Sequence, residues 1–345
     1  MASCVLNMKI VQFIASEGFG GAEKVFVELS NALARDHEVT ALLLRNATIE
    51  KRFSPDVRQV RLNSHPTSNN PFLHLELYSR LKELNPDIIH THAAKGTTLV
   101  ARVNRLLGFK QLGTKHNDRK GRIFNTLRWV STVSEKAGRS VIPARGAHIC
   151  VIHNGVVPEV IGIVDKEEVF TMVAVGRLDR IKGFDILIDQ VSSLPFDYRL
   201  QIVGEGPEKD NLEKKIRKQG LKGKVSLAGF RDDIPLLMKK AHLVVVASHQ
   251  EGGPKVMIES LFYADVLIAT PVGAVPEILP EMFQSSQDKL GRKIMEVHSH
   301  YDEYLKEFQK VADEKRQDFT IPLIVGKYFD LYREIVGEKE QGLNK

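Results

Sequence analysis

The sequence predicts an α/β protein with two Rossmann-like, doubly wound domains, and three observations lead to this fold class. Short apolar stretches, such as residues 8–15 (MKIVQFIA) and 243–248 (LVVVAS), alternate with helix-length segments. Near-continuous apolar strands are typical of parallel sheets that are covered on both faces. The chain of 345 residues exceeds the size of a single core, and the alternation restarts after the polar stretch VDKEE at residues 164–168.

The predicted elements follow in order along the chain. A βαβ unit opens the first domain, with strand MKIVQFIA, glycine loop EGFGGAE, helix KVFVELSNALARD and strand EVTALLL, and further strands are predicted at DIIHTH, QLGTKH, VSTVS and ICVIHN. The second domain is predicted to hold strands at FTMVAVGRL, YRLQIVGEGP, VSLAGF, LVVVAS and LIATPVG, with helices between them. The tail reads mostly as helix. The predicted domains are therefore residues 1–165 and 166–325, followed by a final helix at 326–345.

Composition excludes several classes of protein. The chain is 43% hydrophobic and 27% charged, which is ordinary for a folded globular protein, and no apolar run is long enough to cross a bilayer. Cys4 and Cys150 are the two cysteines, too few for a disulfide scaffold or a multi-cysteine zinc site. The first residues are too weakly basic for a signal peptide. We therefore expect a cytoplasmic protein.

The net charge of +6 is concentrated in the first half of the chain. Residues 95–145 hold twelve Lys and Arg against only Asp118 and Glu135. Such a segment is a candidate contact surface for an anionic partner, which could be nucleic acid, acidic phospholipid or a phosphorylated glycan, or it is simply a solvated basic face. The segment contains no nucleic-acid reading module and no aromatic stacking pattern, so nucleic acid is the least favoured partner.

Loops that follow the strands carry the residues that suggest a site, because ligands of such folds bind outside the carboxyl ends of the strands. Arg177 and Lys182 lie in one such loop, GRLDRIKGFD, and two cations there suit a diphosphate without a metal ion. Gly20 and Gly21 lie between a strand and a helix, where backbone N–H groups can meet a phosphate or a sugar. The sequence contains no Asp-x-Asp pair, which argues against a metal-held diphosphate.

Two further features allow alternative interpretations. In EGGPKVMIE, Glu251 is predicted in a loop and Glu259 inside the following helix, so the two carboxylates could hold two ends of one elongated ligand or could both be solvated. His90, His92 and His116 lie at predicted strand ends. They could form a metal site, but no carboxylate or cysteine set accompanies them, so the sequence favours hydrogen-bonding histidines.

Taken together, eight spaced motifs resemble the retaining glycosyltransferases of the GT-B fold, family four. The motifs are GGAE, HTH, TKHN, VSE, VIHNGV, VGRLDRIKGFD, IVGEGP and EGGPKVMIESL, in that order along the chain to about residue 280. The resemblance implies two Rossmann-like domains that face each other across a cleft, with the acceptor side in the first and the nucleotide-sugar in the second. It also implies that the last helix, around KYFDLYREIV, packs back on the first domain.

The same resemblance implies roles for individual residues. It implies that Glu259 binds the ribose and that Glu251 meets the transferred sugar, whereas Arg177 and Lys182 bind the diphosphate. It implies that His116 lies near the reacting face of the sugar. Further implied donor-binding residues are Gly20, Gly21, Gly204, Phe230, Arg231, Gly253, Pro254 and Lys255. The residues implied on the acceptor or membrane side are His92, Arg119, Lys120 and Arg122.

The implied reaction moves a sugar, with retention and without a metal or other cofactor, from a nucleoside diphosphate sugar to a glycan or lipid-linked acceptor. A UDP-sugar is favoured over a GDP- or ADP-sugar. The resemblance further implies bacterial envelope polysaccharide or lipopolysaccharide assembly, at the cytoplasmic face of the inner membrane. The alternatives are a GT-B nucleotide-sugar epimerase and a catalytically silent nucleotide-sugar or polyanion-binding protein. The sequence leaves the oligomeric state open.

Overall fold

Seven parallel strands form the first sheet in the computed structural model, which describes residues 7–119 and 121–337. Cys4 and Lys120, both named above, lie outside these residues. The strand order is β3-β2-β1-β4-β5-β6-β7. The strands are β1 (Lys9–Ile14), β2 (Glu38–Leu43), β3 (Arg58–Arg61), β4 (Ile88–His92), β5 (Lys110–Lys115), β6 (Trp129–Thr132) and β7 (His148–Val151).

Four α-helices lie on the connections of this sheet within the described residues: α1 (Gly21–Leu33), α2 (Pro71–Leu84), α3 (Ala93–Leu107) and α4 (Glu135–Arg139). Local sequence sets their ends. The Asn70 side chain accepts a hydrogen bond from the Phe72 N–H at the start of α2, where Pro71 takes the first helical position. Gly108 ends α3 in the left-handed region, with φ of 72°.

The second sheet has five parallel strands in the order β10-β9-β8-β11-β12. These strands are β8 (Phe170–Val175), β9 (Tyr198–Val203), β10 (Val225–Gly229), β11 (Leu243–Val246) and β12 (Leu267–Ala269). The α-helices associated with them are α5 (Phe184–Val191), α6 (Lys209–Lys218), α7 (Ile234–Lys240), α8 (Lys255–Tyr263), α9 (Val275–Ile278), α10 (Leu290–Ser299) and α11 (Tyr301–Lys315). The inner strands β8 and β11, together with β12, are largely buried, as the apolar runs predict, whereas the edge strand β10 is mostly half-buried or exposed.

The last helix, α12 (Ile321–Gly337), returns to the first sheet. Its buried Tyr328, Tyr332 and Ile335 join the same hydrophobic cluster as Phe26 and Leu33 of α1. The first unit therefore comprises residues up to Gly155 together with those from Ile321 onward, and the second unit comprises Val156–Thr320. The boundaries expected from sequence were residues 165 and 326. In the structure the chain leaves the first unit earlier, after Gly155, and re-enters it earlier, at Ile321.

Packing at Gly155 explains where the chain leaves and re-enters the first unit. A Cβ on Gly155 would lie 2.9 Å from Ile324 Cγ1, so α12 seats directly against a residue that has no side chain. Pro322 in the first turn is the sequence signal for a helix that begins at Ile321. The polar stretch at 164–168 marks the approach to β8 rather than the boundary between the units.

One strand was absent from the sequence expectation. β3, with the sequence RQVR, lies at the edge of the first sheet, and its residues are mostly exposed. Charged side chains are common on edge strands because they discourage pairing with another chain. The same charges remove the apolar pattern by which the other strands were predicted.

Candidate functional site

The second sheet changes the direction of its connections between β8 and β11. β8 pairs with β9 on one side and with β11 on the other, so the loops after β8 and β11 leave in different directions. Ligands of open α/β sheets bind at such a switch point. The loop after β8 carries Arg177 and Lys182, and the loop after β11 carries Glu251.

An ion pair joins the two loops at this switch point. Lys182 Nζ lies 2.5 Å from Glu251 Oε1, and the Ser248 hydroxyl donates to the same oxygen at 2.7 Å. The Lys182 side chain is 23% exposed and that of Glu251 is 14% exposed. Both residues line a small pocket whose wall also includes Phe184 and Pro254. The carboxylate is therefore held in place by two donors at the edge of a cavity.

Backbone contacts hold the two loops together. The His249 N–H donates to the Ile181 carbonyl at 2.8 Å. Gly183 has a φ of 64°, and a Cβ at this position would run into the Ala247 carbonyl. Glycine is the residue that meets both demands, positive φ and close backbone approach. Gly176 plays a related part, since a Cβ there would lie 3.0 Å from Cε of Lys182.

Arg177 has a different partner from Lys182. Its guanidinium is largely exposed, and its Nε donates to Asp179 Oδ2 at 2.9 Å. Asp179 also accepts from the Ile181 N–H at 3.1 Å, which fixes the start of a short 3₁₀ turn at Arg180–Lys182. The structure thus places both predicted cations in one loop, each with a carboxylate partner. Any anion bound there must compete with Asp179 and Glu251.

The helix after Glu251 contains two buried charged residues. α8 begins at Lys255 after Pro254, and both Lys255 and Glu259 are almost fully buried. Charged residues are seldom buried to this extent unless they have partners or a function. Gly253 belongs to the same loop, whose preceding residue, Gly252, accepts a hydrogen bond from the Ala274 N–H at 2.8 Å. The segment EGGPKVMIE is thus a fixed loop followed by a buried helix.

The other predicted donor-binding residues of the second unit follow neighbouring strands. Gly204, after β9, has a φ of 141°, and a Cβ there would overlap the Gly176 carbonyl. Its structural role is therefore close packing of one loop on the other. Phe230, after β10, is 49% exposed, and Arg231 forms a fork with Asp233 at 2.7 and 2.6 Å. This ion pair raises the pKa of Arg231 and lowers that of Asp233.

The first unit has its own switch point, between β1 and β4, where β1 pairs with β2 on its other side. The loop after β1 leads to Gly20 and Gly21. Gly20 caps α1 without a side-chain hydrogen bond, and Gly21 is the first helical residue. A Cβ on Gly21 would meet nothing within 4 Å. A Cβ on Gly20, by contrast, would lie 3.1 Å from Glu23 Oε2. The ligand-binding role of this glycine loop stays a prediction.

At the end of β4, His92 connects His116 to the interior of the first unit. His92 Nδ1 lies 3.1 Å from His116 Nε2, and His92 Nε2 lies 2.8 Å from Gln12 Oε1. His90 contacts Tyr332 Oη at 2.6 Å and Thr114 Oγ1 at 2.5 Å. The favoured interpretation, hydrogen-bonding histidines, agrees with these contacts. In the described part of the chain, no group of three or more His, Cys, Asp or Glu could hold a metal ion.

Burial keeps these histidines neutral. It lowers the pKa of His90 to about 3 and that of His116 to about 4, and it also lowers the pKa of His92. Each neutral imidazole then has one N–H donor and one nitrogen acceptor, so the contacts must alternate in direction. Sequence reasoning missed Gln12, Tyr332 and Ser248. Gln12 alone gave a signal, as a polar residue inside the apolar strand KIVQFI.

Basic residues cover part of the surface of the first unit. Nine of the described basic side chains between residues 95 and 145 are exposed: Lys95, Arg102, Arg105, Arg119, Arg122, Arg128, Lys136, Arg139 and Arg145. Two large apolar side chains in the same segment are also exposed, Leu106 by 80% and Ile142 by 76%. None of the helices in the described residues combines the length and apolar character needed to cross a bilayer.

Two family models match the chain in succession: Glycosyltransferase Family 4 over residues 19–160 and Glycosyl transferases group 1 over residues 158–314. The lipopolysaccharide core biosynthesis glycosyltransferase LpsE of Rhizobium meliloti is 27% identical, over 76% of this chain and 79% of its own. A Campylobacter jejuni α-1,4-N-acetyl-D-galactosaminyltransferase, whose named acceptor is a glycan on diphosphoundecaprenol, is 23% identical, over 95% of this chain and 99% of its own.

Among solved structures, Anabaena HepE in complex with UDP and glucose has a TM-score of 0.81 at 19% identity, over 95% of this chain and all of its own. The two units, each built on a parallel sheet, and the likeness to HepE identify the fold as GT-B. This confirms the predicted fold class. The chain belongs to the group 1 glycosyltransferases, as the eight motifs indicated.

Neutral buried histidines make the stability of the first unit depend on pH. Since the pKa of His90 is lower in the folded chain than in the unfolded chain, the unfolded state binds more protons between these two values. Stability is therefore complete above the unfolded pKa and is lost as pH falls from about 6.5 toward 3, by about 1.4 kcal/mol per pH unit for His90. Urea unfolding followed by fluorescence of the sole tryptophan, Trp129 on β6, measures this loss.

The matched control is His90→Gln, which keeps hydrogen-bonding capacity but cannot gain a proton in this range. We expect its unfolding midpoint to fall less than that of the wild type between about pH 7 and about pH 5. Equal changes in the two proteins would contradict the neutral, buried state of His90.

Proposed function

We propose that this glycosyltransferase is a metal-independent, retaining enzyme that moves a sugar from a UDP-sugar to a glycan or lipid-linked acceptor in bacterial envelope glycan assembly. The observation that carries the proposal is the Lys182–Glu251 ion pair at the switch point of the second sheet. It joins a cation suited to a diphosphate with a carboxylate suited to sugar hydroxyls. UDP is the nucleotide in the HepE complexes, which supports the choice of donor.

The leaving diphosphate is the group that this arrangement would stabilise. When the bond from the anomeric carbon to the diphosphate breaks, negative charge develops on the leaving oxygen. Lys182 and Arg177 supply two cations in one loop, so charge can be neutralised without a metal ion. The acceptor oxygen then bonds to the anomeric carbon on the face that the diphosphate leaves, and its proton passes to the diphosphate. No side chain is assigned as a nucleophile.

The remaining residues would bind the rest of the donor. Glu259 on buried α8 would accept hydrogen bonds from the ribose, and backbone groups from Gly253 to Lys255 would contact the sugar with Glu251. The exposed ring of Phe230 offers a stacking surface for the base, with Arg231 beside it.

In the first unit, His116 and the loop at Gly20 and Gly21 would contact the sugar, and His92 would lie on the acceptor side.

The named relatives support the proposed acceptor class. LpsE bears a name in lipopolysaccharide core synthesis, and the Campylobacter enzyme is named for a polyprenyl-diphosphate-linked glycan. The nine exposed basic residues fit an enzyme that meets such an acceptor at an anionic surface. We therefore place the enzyme at the cytoplasmic face of the inner membrane, held peripherally by the first unit, with Leu106 and Ile142 as apolar contacts.

Calorimetry with UDP, GDP and ADP tests the diphosphate site. Lys182→Ala should weaken UDP binding at least about tenfold, because a charge-assisted contact is lost and Glu251 is left to repel the diphosphate. Arg177→Ala should have a smaller effect, since this side chain is exposed.

The control is Arg180→Ala, which removes a third cation from the same loop, one that pairs with Glu208 instead. It should bind UDP like the wild type. A chelator should leave binding unchanged. Equal UDP affinity of the Arg177→Ala, Lys182→Ala double variant and the wild type would contradict the site, and stronger binding of GDP or ADP would contradict the proposed base.

Transfer can be tested with UDP-glucose, UDP-galactose and the two UDP-N-acetylhexosamines, each with a prenyl-diphosphate-linked glycan or a lipopolysaccharide core acceptor. The donors carry α-linked sugars, so retention predicts an α-linked product in its NMR spectrum. Glu251→Gln should lower the rate at least about a hundredfold, since it removes the charge that holds Lys182 in place. Glu281→Gln, at an exposed position in the same unit, should not.

Other products identify the alternatives. An epimerase would convert the UDP-sugar without an acceptor, and a silent binding protein would give no product although UDP binds. A β-linked product would refute retention while leaving the transferase assignment in place.

Flotation with anionic liposomes tests the membrane proposal. The Glu variant of Arg119, Lys120 and Arg122 should lose most binding at low salt, because each basic residue near an anionic surface contributes about 1 kcal/mol. Added salt should weaken wild-type binding, since screening acts within about 10 Å at 0.1 M. A control with the same change in net charge replaces exposed lysines of the second unit by Glu: Lys209, Lys214 and Lys222. Equal losses in both variants would contradict a specific basic face.

A further inference from the structure

A continuous series of hydrogen bonds connects His116 to the last helix. It runs from His116 Nε2 to His92 Nδ1 at 3.1 Å, from His92 Nε2 to Gln12 Oε1 at 2.8 Å, and from Gln12 Nε2 to Tyr332 Oη at 3.2 Å. All four residues belong to the first unit. Gln12, His92 and Tyr332 are fully buried, so solvent cannot supply alternative partners for their polar atoms.

The amide of Gln12 sets the direction of every bond in this series. An amide oxygen only accepts, so His92 Nε2 must carry the proton that it donates to Gln12. Because His92 is neutral, its Nδ1 is then an acceptor, and His116 Nε2 must carry the proton between the two rings. His116 is neutral too, which leaves its Nδ1 without a proton. In the residues that the structure describes, His116 Nδ1 makes no hydrogen bond.

The opposite end of the series agrees with this direction. The Gln12 amide N–H donates to Tyr332 Oη, so the Tyr332 hydroxyl is available to donate to His90 Nδ1 at 2.6 Å. His90 Nε2 then donates to Thr114 Oγ1, whose hydroxyl reaches Ser131 Oγ at 2.5 Å. Each buried donor thus meets an acceptor, from β1 to β6 and α12.

Packing keeps the rings in register. The His92 and His116 ring centroids lie 5.3 Å apart with their planes inclined by 28°, and the Phe26 ring meets His92 edge-on at 5.5 Å. A buried glutamine inside an apolar strand is unfavourable unless its amide is fully hydrogen-bonded. Gln12 meets that condition only in an arrangement that also fixes the histidine tautomers.

We propose that Gln12 is a positioning residue that acts through His92 to hold His116 in the Nε2–H tautomer, so that His116 Nδ1 accepts a hydrogen bond from a sugar hydroxyl. The sugar contact rests on the proposed function; the tautomer does not. A nitrogen acceptor at this point favours a hydroxyl on the transferred sugar and disfavours a carboxylate or carbonyl, which only accept. The site would therefore select neutral hexoses over uronic acids at the contacted position.

The decisive measurement is the side-chain ¹⁵N NMR spectrum of protein labelled at its histidines, in which protonated and unprotonated ring nitrogens are resolved. His116→Gln identifies the His116 signals by their loss. We expect the wild type to show a protonated Nε2 and an unprotonated Nδ1 at His116. Gln12→Met, which has a similar length but no hydrogen-bonding amide, should give a mixture of tautomers.

The matched control is Gln111→Met, the same change on β5 of the same sheet, where the amide contacts Thr91 and Thr97 instead. It should keep the wild-type tautomer. A protonated Nδ1 at His116 in the wild type overturns the proposal, because it requires the opposite orientation of the Gln12 amide. An unchanged tautomer in a folded Gln12→Met also overturns it. The wild-type spectrum decides the first point even if Gln12→Met fails to fold.

Kinetics test the sugar contact separately, with the UDP-sugar and acceptor that the wild type uses. Gln12→Met should lower kcat/KM about tenfold, the effect of one misdirected hydrogen bond, and leave the UDP Kd unchanged. An unchanged kcat/KM despite mixed tautomers would overturn the sugar contact. If the wild type transfers no sugar and binds no UDP, the proposed function fails, while the NMR result still decides the role of Gln12.

Discussion

Contact between the Lys182 ammonium and the Glu251 carboxylate is the interaction on which the second unit's site depends. The two residues are far apart in sequence, and they meet because β8 and β11 are neighbours and their loops pack backbone to backbone. A partly buried ion pair contributes little to stability, because desolvation offsets much of the attraction. Its value is chemical. It holds a cation and a carboxylate at fixed positions with no net charge until an anionic ligand competes for the lysine.

The loops around this pair explain why glycine recurs in the motifs. Gly176 and Gly183 let the backbone and the Lys182 side chain approach more closely than a Cβ would allow. Gly204 then packs on Gly176, which explains why it belongs to the motif without needing to touch a ligand. The donor-binding role that the resemblance implied for Gly204 stays a prediction. Its contacts show in addition that it supports the loop that carries Arg177.

Sequence patterns predicted the parts of the site that are local. The apolar strands, the glycine loop before α1 and the loop that carries Arg177 and Lys182 are each encoded by a few consecutive residues. The side chains that contact these site residues were not predictable in this way. Ser248 and Asp179 compete with any ligand for the charged groups, and nothing in their sequence context indicates it. Tyr332 lies 320 residues from Gln12, and their contact requires the last helix to return to the first sheet. The edge strand β3 was missed because its charges hide the strand pattern.

The two switch points differ in a way that follows from the groups placed there. At the second, charged side chains sit at the edge of a pocket, where a lysine can exchange a carboxylate for a phosphate. At the first switch point, burial keeps His90, His92 and His116 neutral. These side chains therefore act through hydrogen bonds whose donors and acceptors are fixed, and not through charge. A diphosphate demands charge, whereas a sugar hydroxyl demands a correctly oriented acceptor. The neutral, hydrogen-bonded histidines supply such an acceptor without attracting counter-ions. The proposed series of hydrogen bonds ends at Tyr332 on α12, so the protonation state of His116 Nδ1 depends on this helix. The return of the chain to the first unit then has a functional reason as well as a structural one.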